Sequence, residues 1–378
     1  MDMNQRWQRP LIDDRLTPYI EIDAARLENN LQAMQQKASR AGVALRPHIK
    51  THKSLFIARR QRELGASGIT VSKPSEGEVF IRGGERDILL AYPVIRAESV
   101  ATLLQLATQH QAKVTLIVDA LHGVAAIADA QRQQPDAAIA VAIKVDVGLH
   151  RIGVDPHSGE AVALAQAIQA AQLPFAGLVS HAGHAYGAGN PQAIAAIAQQ
   201  EAQLMQQVKR VLREAGFTDC AISVGATPTA LATDVVDGTD EIRPGNYALL
   251  DLTACRLGLS RVDDLALSVI ARVVAVNKHF AIIDAGSKML SADKGPHGTD
   301  ASGFGVAVDE DGGRYEISKL SEEHGFLALQ GAAPRVGSLL RIFPNHSCAV
   351  MAQSASYVLR YADGRAEQQP VDARGCFL

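Results

Sequence analysis

No apolar run in this sequence of 378 residues approaches the roughly 20 residues needed to cross a bilayer. Residues 1–15 are polar and lack the apolar centre of a secretory signal, so neither a membrane span nor export is expected. Cysteine is scarce: Cys220, Cys255, Cys348 and Cys376 are scattered without the spacing of a disulfide framework. That usage suits a reducing, cytoplasmic setting. An excess of one charge is also missing. The formal net charge is −3, which excludes the basic footprint of a nucleic-acid binder and attraction to an anionic membrane. No GxGxxG opens a helix after the first strand, which argues against a dinucleotide fold. There is no internal repeat and no low-complexity linker. What remains is a soluble globular composition, 47% hydrophobic and 20% charged, on a chain long enough to bury a large core.

Residues 24–41 place Leu27, Leu31, Met34 and Ala38 on one helical face, between a capping Asp23 and a terminating Gly42. From there eight short apolar runs read as strands: 43–50, 68–72, 87–92, 113–119, 137–146, 174–181, 220–225 and 241–250. Most are separated by stretches rich in Ala, Gln and Leu with helical period, such as 97–110, 121–133, 159–172 and 192–215. Strands buried on both faces lose the in-out alternation, as these do. Eight such units over residues 1–252 predict an α/β fold, a closed (β/α)8 barrel of the TIM type, with a doubly wound open sheet as the alternative. After residue 252 the helical period fades. Runs such as 265–277, 279–286, 338–351 and 354–361, divided by Gly- and Asp-rich turns, predict a mainly β domain over residues 253–378.

The segment richest in chemistry, Arg46-Pro47-His48-Ile49-Lys50-Thr51-His52-Lys53, closes the first predicted barrel strand. Barrel sites sit at the C-terminal ends of strands, so Lys50 is placed to point inward. A Schiff-base cofactor needs an amine held in a desolvated, cationic neighbourhood, and Arg46, His48, His52 and Lys53 supply one. A basic surface loop is the other reading of the same residues. Three later strand ends carry polar or glycine-rich groups: Ser180–Tyr186, Ser223–Thr229 and Arg243–Tyr247. Glycine amides after strands seven and eight are where barrels bind phosphate, although Gly and Pro also simply make turns. Lys144–Arg151 brings basic groups to the mouth after strand five. In the β domain, His346 and Cys348 form a His-x-Cys pair. On a strand, positions i and i+2 share a face, so imidazole and thiolate could meet on one metal; an incidental His beside a buried Cys is the alternative. Asp284-Ala285-Gly286 and Glu323-His324-Gly325 serve either a site or turns.

Taken together, RPHIKTHK, KVDVGLHRIG, SVGATPT, RPGNY and PNHSC resemble the D-serine dehydratase and D-threonine aldolase family, over about Thr17 to Tyr361. The resemblance implies the alanine-racemase-like architecture, a barrel binding pyridoxal 5'-phosphate (PLP) followed by a β domain. It implies that Lys50 carries the cofactor. Tyr186, Thr227, Gly245 and Asn246 match positions that hold PLP, mostly around its phosphate, with Arg151 and His181 as further cofactor-binding candidates. His346 and Cys348 match the metal pair. Aldolase members of the family tend to have His-x-Asp there and dehydratases His-x-Cys, so Cys348 points to a dehydratase, with Zn2+ the natural divalent metal for a thiolate. Some dehydratases carry a tyrosine just upstream of the SHAGHAY segment, where this chain has Leu178-Val179.

The activity this implies is a lyase reaction on D-3-hydroxy amino acids giving a 2-oxo acid and ammonia. Lys50 removes the Cα proton and the metal takes up the 3-hydroxyl. Retro-aldol cleavage to glycine and an aldehyde shares the same parts. Racemisation needs an acid-base group on the opposite face and has no use for a metal. A non-catalytic PLP-binding protein lacks the β domain by resemblance, and a PLP-free metal hydrolase is the remaining rival. A homodimer is expected from the architecture, with a small-molecule substrate as the only other partner. His150, Arg151, His181 and His184 are candidates to read a second substrate carboxylate.

Overall fold

In the computed structural model, which describes residues 11–12, 15–299, 301–329 and 331–378, the first element among the described residues is a strand not separated in the sequence, β1 (Tyr19–Asp23). Helix α1 (Ala24–Ala41) follows at once. Asp23 Oδ1 accepts the Arg26 N–H at 3.1 Å, which is the expected cap, and the chain leaves the helix at Gly42 with φ +66°. Leu27, Leu31, Met34 and Ala38 are all buried, as their spacing predicts.

Eight strands then build one parallel sheet: β2 (Ala44–Leu45), β3 (Ile69–Val71), β4 (Asp87–Pro93), β5 (Lys113–Val118), β6 (Ala138–Lys144), β7 (Phe175–Val179), β8 (Ala221–Val224) and β9 (Glu241–Ile242). Seven fall within their predicted runs, and β4 extends its run 87–92 by one residue, to Pro93. Their order is β2-β9-β8-β7-β6-β5-β4-β3. The ring closes between its ends: Ser67 N–H donates to Leu45 O and Thr70 N–H to Pro47 O, both at 2.8 Å, and His48 bridges Thr70 in parallel. The architecture is therefore the (β/α)8 barrel and not the doubly wound sheet. Strands β5 and β6 are buried at every residue but the first, which explains their unbroken apolar runs. Leu89, Ile117, Ala142 and Val179, from four consecutive strands, pack together in the core.

The intervening helices are α2 (Leu55–Leu64), α3 (Pro74–Arg82), α4 (Ala101–Gln109), α5 (Leu121–Gln133), α6 (Glu160–Ala170), α7 (Pro191–Glu214) and α8 (Thr227–Ala232). Helix α7 starts with an Asn190 cap, whose side chain accepts the Ala193 N–H at 2.9 Å, and with Pro191 in its first turn. It buries Ile194, Ala198, Ala202, Met205, Val208 and Leu212, a stripe of helical period. Gly177 in β7 has φ +116°, and a Cβ there would run into the Ala221 backbone of β8. Only glycine lets these two strands approach.

The second unit comprises residues up to 32, 51–54 and 246–374. Its strands are β10 (Leu267–Val276), β11 (Phe280–Ile283), β12 (Val306–Val308), β13 (Arg314–Leu320), β14 (Gly325–Ala328), β15 (Leu339–Phe343), β16 (Ser356–Arg360) and β17 (Ala366–Pro370). With β1 they form a nine-stranded sheet in the order β11-β14-β13-β12-β15-β10-β1-β16-β17, and β10 also pairs with β11. Short helices α9 (Leu252–Arg256), α10 (Ser287–Leu290) and α11 (Ser347–Gln353) lie between strands. The β1 strand brings Glu21 into this unit's interior. There it accepts from Arg341 at 2.7 Å and from Arg360 at 3.1 Å, so the buried carboxylate is paired with two guanidinium groups. No helix among the described residues is long and apolar enough to cross a membrane.

Candidate active site

A cavity of about 390 Å³ opens in the barrel unit, within the range of small-molecule sites. It is lined from the C-terminal end of every barrel strand. His48 and Lys50 follow β2 and Ser72 follows β3; Tyr92 and Ile117 are next to last in β4 and β5, and Lys144 ends β6. Ser180 follows β7, Gly225 follows β8 and Arg243 follows β9. That is the end of a barrel where binding groups converge.

The lining is one-sided in charge. Lys50, Lys73, Lys144, Arg151 and Arg243 face the cavity together with His48 and His181, and no Asp or Glu stands among the described lining residues. Burial, reinforced by Arg243, pushes Lys144 well below the ordinary lysine range. Burial, with Lys50 and Lys144 next in effect, also pushes His181 well below the usual histidine value. His181 Nδ1 lies 3.0 Å from Gly225 O, and a carbonyl can only accept, so Nδ1 carries the proton of the neutral ring. Nε2 then keeps its lone pair. Arg243 is held by Ser223 Oγ and Ser180 O. Gly225 has φ +129°, and a Cβ there would come to 3.0 Å from Arg243 N, so glycine is required at this turn. Ala91, Ile117, Ile152 and Val179 give the cavity an apolar wall. An amine, an excess of positive charge and an apolar platform fit a phosphorylated aromatic aldehyde cofactor.

The β unit holds a second cluster. His346 is the cap of α11 and Cys348 lies in its first turn, so the pair does not sit on a strand, as the sequence suggested. Strand β15 ends at Phe343, and the Asp251 carboxylate accepts the Ser347 N–H at 3.0 Å, which anchors the helix start. The two side chains still converge, because residues at the cap and second helical position can both reach the space before the first turn. His346 hydrogen-bonds Cys348, and its Nδ1 lies 2.6 Å from Asp293 Oδ2. Burial alone would lower the imidazole pKa, but Cys348, Asp293 and Asp251 overcome it and push it up to about 11. The same negative neighbours favour a cation at this point. Among the described residues no three His, Cys, Asp or Glu are grouped to hold a metal; the imidazole and the thiol are two donors of the kind that binds a borderline divalent metal, and two donors alone leave other positions open.

Comparison with known proteins places this geometry in a family. The alanine racemase N-terminal domain pattern matches residues 22–252 and a putative serine dehydratase domain pattern matches residues 266–360. The chain is 37% identical to the D-threo-3-hydroxyaspartate dehydratase of Delftia sp. (strain HT23), over 92% of this chain and 95% of that one. The crystal structure of that enzyme superposes with a TM-score of 0.88, covering 94% of this chain and 97% of the other. This chain is also 36% identical to a D-threonine aldolase of Arthrobacter sp., over 87% of this chain and 85% of that one. A D-serine dehydratase of Dictyostelium discoideum is 30% identical over 92% and 93%. The chain belongs to the alanine-racemase-like family of D-3-hydroxy amino acid dehydratases and aldolases. It is a PLP-dependent lyase of that type.

Within this family frame, Lys50, Arg151 and His181 line the cavity, as the sequence suggested. Thr227 and Gly245 lie outside its lining but beside each other, the Gly245 N–H donating to Thr227 Oγ1 at 3.2 Å. Tyr186 is half-buried in a 3-10 turn, Gly183–Gly187, after β7. The Asn246 side chain belongs to the β unit, where it donates to Asp251 at 2.6 Å and accepts from Ser347 at 2.5 Å. The cationic neighbours expected around Lys50 are mostly elsewhere. Arg46 pairs with Asp87 and Glu241, both at 2.7 Å, and Lys53 donates to Ala373 O at 3.4 Å. Only His48 of that group lines the cavity. Lys73, Lys144 and Arg243 take their place, drawn from three other strand ends. Lys73, held 4.0 Å from the Tyr92 ring centroid, carried no sequence signal. Asp284 and Glu323 are structural: Asp284 accepts the Arg272 N–H at 2.8 Å, and Glu323 pairs with Lys288 at 2.6 Å.

Proposed function

We propose that this lyase is a zinc-dependent dehydratase of D-3-hydroxy amino acids, releasing a 2-oxo acid and ammonia. The observation that carries the reading is the pairing of His346 with a thiol, Cys348, in place of a carboxylate. Two mutant structures of a D-threo-3-hydroxyaspartate dehydratase support it: the histidine and the cysteine replaced by alanine there have the two-residue spacing of His346 and Cys348, and the cysteine mutant is in a metal-free form. When bound, PLP draws electrons from the substrate Cα, and a divalent metal stabilises the departing hydroxide.

This chain's own residues do the rest. Lys50 Nζ, in the cavity with the other cations, holds the cofactor and then accepts the Cα proton of the substrate. Thr227 and Gly245 offer a hydroxyl and an amide to the phosphate in place of the contact they make with each other. Asn246, whose side chain is taken up by Asp251 and Ser347, serves through its backbone, and Tyr186 bounds the same loops. Arg151 and neutral His181 orient the cofactor ring and the substrate carboxylate. His346 and Cys348 hold the metal. Within the β unit, the Thr51 hydroxyl meets Cys348 Sγ at 3.2 Å and so supports the thiol. The active form is a homodimer, which light scattering checks; a stable monomer with full turnover removes that element alone.

The deciding experiment is product analysis after incubating PLP- and zinc-loaded protein with D-threonine. 2-Oxobutanoate and ammonia are expected. Glycine and acetaldehyde would make the enzyme an aldolase and show that the thiol ligand does not select elimination.

A further inference from the structure

Resting on the metal role given to His346 and Cys348, we propose that Asp293 is the positioning residue of that site, fixing the His346 ring so that Nε2 is the nitrogen offered to the metal. Asp293 Oδ2 lies 2.6 Å from His346 Nδ1, across 53 residues of chain. A carboxylate only accepts, so Nδ1 must carry a proton to make this contact, and the other ring nitrogen is left as the ligand. An outer carboxylate of this kind fixes the tautomer and ring angle and raises the basicity of the ligating nitrogen.

The rest of the segment holds Asp293 ready for that task. Its Oδ1 accepts the Gly295 N–H at 2.9 Å, and its own N–H donates to Ser291 Oγ at 3.1 Å. The backbone on either side of His346 is fixed independently. Thr253 Oγ1 donates to Asn345 O at 2.7 Å, and Ser347 N–H donates to Asp251 at 3.0 Å. Gly295 lies against Thr253, where a Cβ would come to 3.3 Å from Thr253 Oγ1, so the Asp293 turn is packed onto the residue that tethers Asn345. With its neighbours anchored, what His346 needs is a restraint on rotation of the ring. Asp293 supplies it. Nothing in the sequence marked this aspartate, which stands in a glycine-rich loop.

The test is zinc titration of metal-stripped, PLP-loaded protein against a chromophoric chelator, for wild type, Asp293→Ala, Asp293→Asn and His346→Ala. Asp293→Ala is expected to weaken zinc binding by roughly 10- to 100-fold. Asp293→Asn, whose amide oxygen still accepts from Nδ1–H, should lose less. The visible absorbance of PLP and the melting temperature should stay at wild-type values in both. In the nitrogen-15 spectrum, the zinc-loaded wild type should show His346 protonated at Nδ1. Wild-type zinc affinity in Asp293→Ala, with His346→Ala unable to bind, overturns the positioning role and leaves the metal pair standing. Zinc retained by His346→Ala overturns the metal reading and the proposal with it.

Discussion

Thr51 Oγ1 lies 3.2 Å from Cys348 Sγ, although 297 residues separate them in the chain. Both residues belong to the β unit, so the hydroxyl is a direct neighbour of the thiol proposed to hold the metal. Replacing Thr51 with Val keeps the shape and removes the hydroxyl. A hydrogen bond to a charged sulfur contributes about 1.5 kcal/mol, roughly tenfold in affinity, so zinc should bind about that much more weakly. The PLP absorbance should not change. Unaltered zinc affinity would mean that the contact does not support the ligand.

Lys50→Ala and His346→Ala should fail differently. Loss of Lys50 should remove the visible absorbance of the cofactor, and loss of the general base should lower turnover by roughly 10²- to 10⁴-fold or more. Loss of His346 should leave the absorbance in place and abolish zinc-restored turnover after chelation. Spectra and single-turnover assays on both variants separate the two roles; matching losses in both would merge them.

Glu21 is the buried partner of Arg341 and Arg360, and Arg341 is almost fully buried. Glu21→Ala leaves a guanidinium in the β unit without its carboxylate. The expected loss is about 3–5 kcal/mol in urea unfolding, because an uncompensated buried charge remains. Replacing Glu21 with Gln should lose less. A change under about 1 kcal/mol would mean that water reaches the site readily.

Gly177 has φ +116° and faces the Ala221 backbone of the next strand. Gly177→Ala combines a backbone conformation closed to L side chains with a clash between β7 and β8. Destabilisation of at least about 2 kcal/mol is expected in thermal melts. Gly216, also at positive φ but open on its Cβ side, is the control and should tolerate Ala better.

His181 gives the protein a pH signature. Burial, Lys50 and Lys144 depress its pKa, so the folded state keeps the ring neutral where the unfolded chain takes up a proton, near about 6.5. Its contribution is complete above that value and is lost as pH falls toward the lower folded value. Urea midpoints should therefore drop between pH 7.5 and pH 5.5, values chosen to bracket that range at roughly one unit on either side. In His181→Gln the drop should be smaller, and an equal drop would assign the pH sensitivity to other groups.

The sequence alone determined the eight βα units, because each element is specified by short-range chemistry, whereas the closure of β2 against β3 that makes them a barrel is a tertiary contact. Both-face burial wrote continuous apolar runs into β5 and β6, and period 3.6 marked α1 and α7. The place of Lys50 in the cavity lining was legible for the same reason: it follows β2, and strand ends define a barrel's working face. His346 and Cys348 were legible as a pair by spacing and resemblance, but their secondary structure was not. The apolar run up to Phe343 is followed after Pro344-Asn345-His346-Ser347 by a second one, Ala349-Val350-Met351, and the Asp251 carboxylate on the Ser347 N–H anchors that second run as α11. Tertiary structure alone decided that β1 joins a sheet whose other strands begin more than 240 residues later. It likewise decided that Arg46 belongs to Asp87 and Glu241 instead of to Lys50, and that Asp293 meets His346. A repeating pattern is imposed residue by residue on one segment and so leaves a periodic trace. A single charged contact between distant segments forms only when the fold closes, and it leaves no period to read.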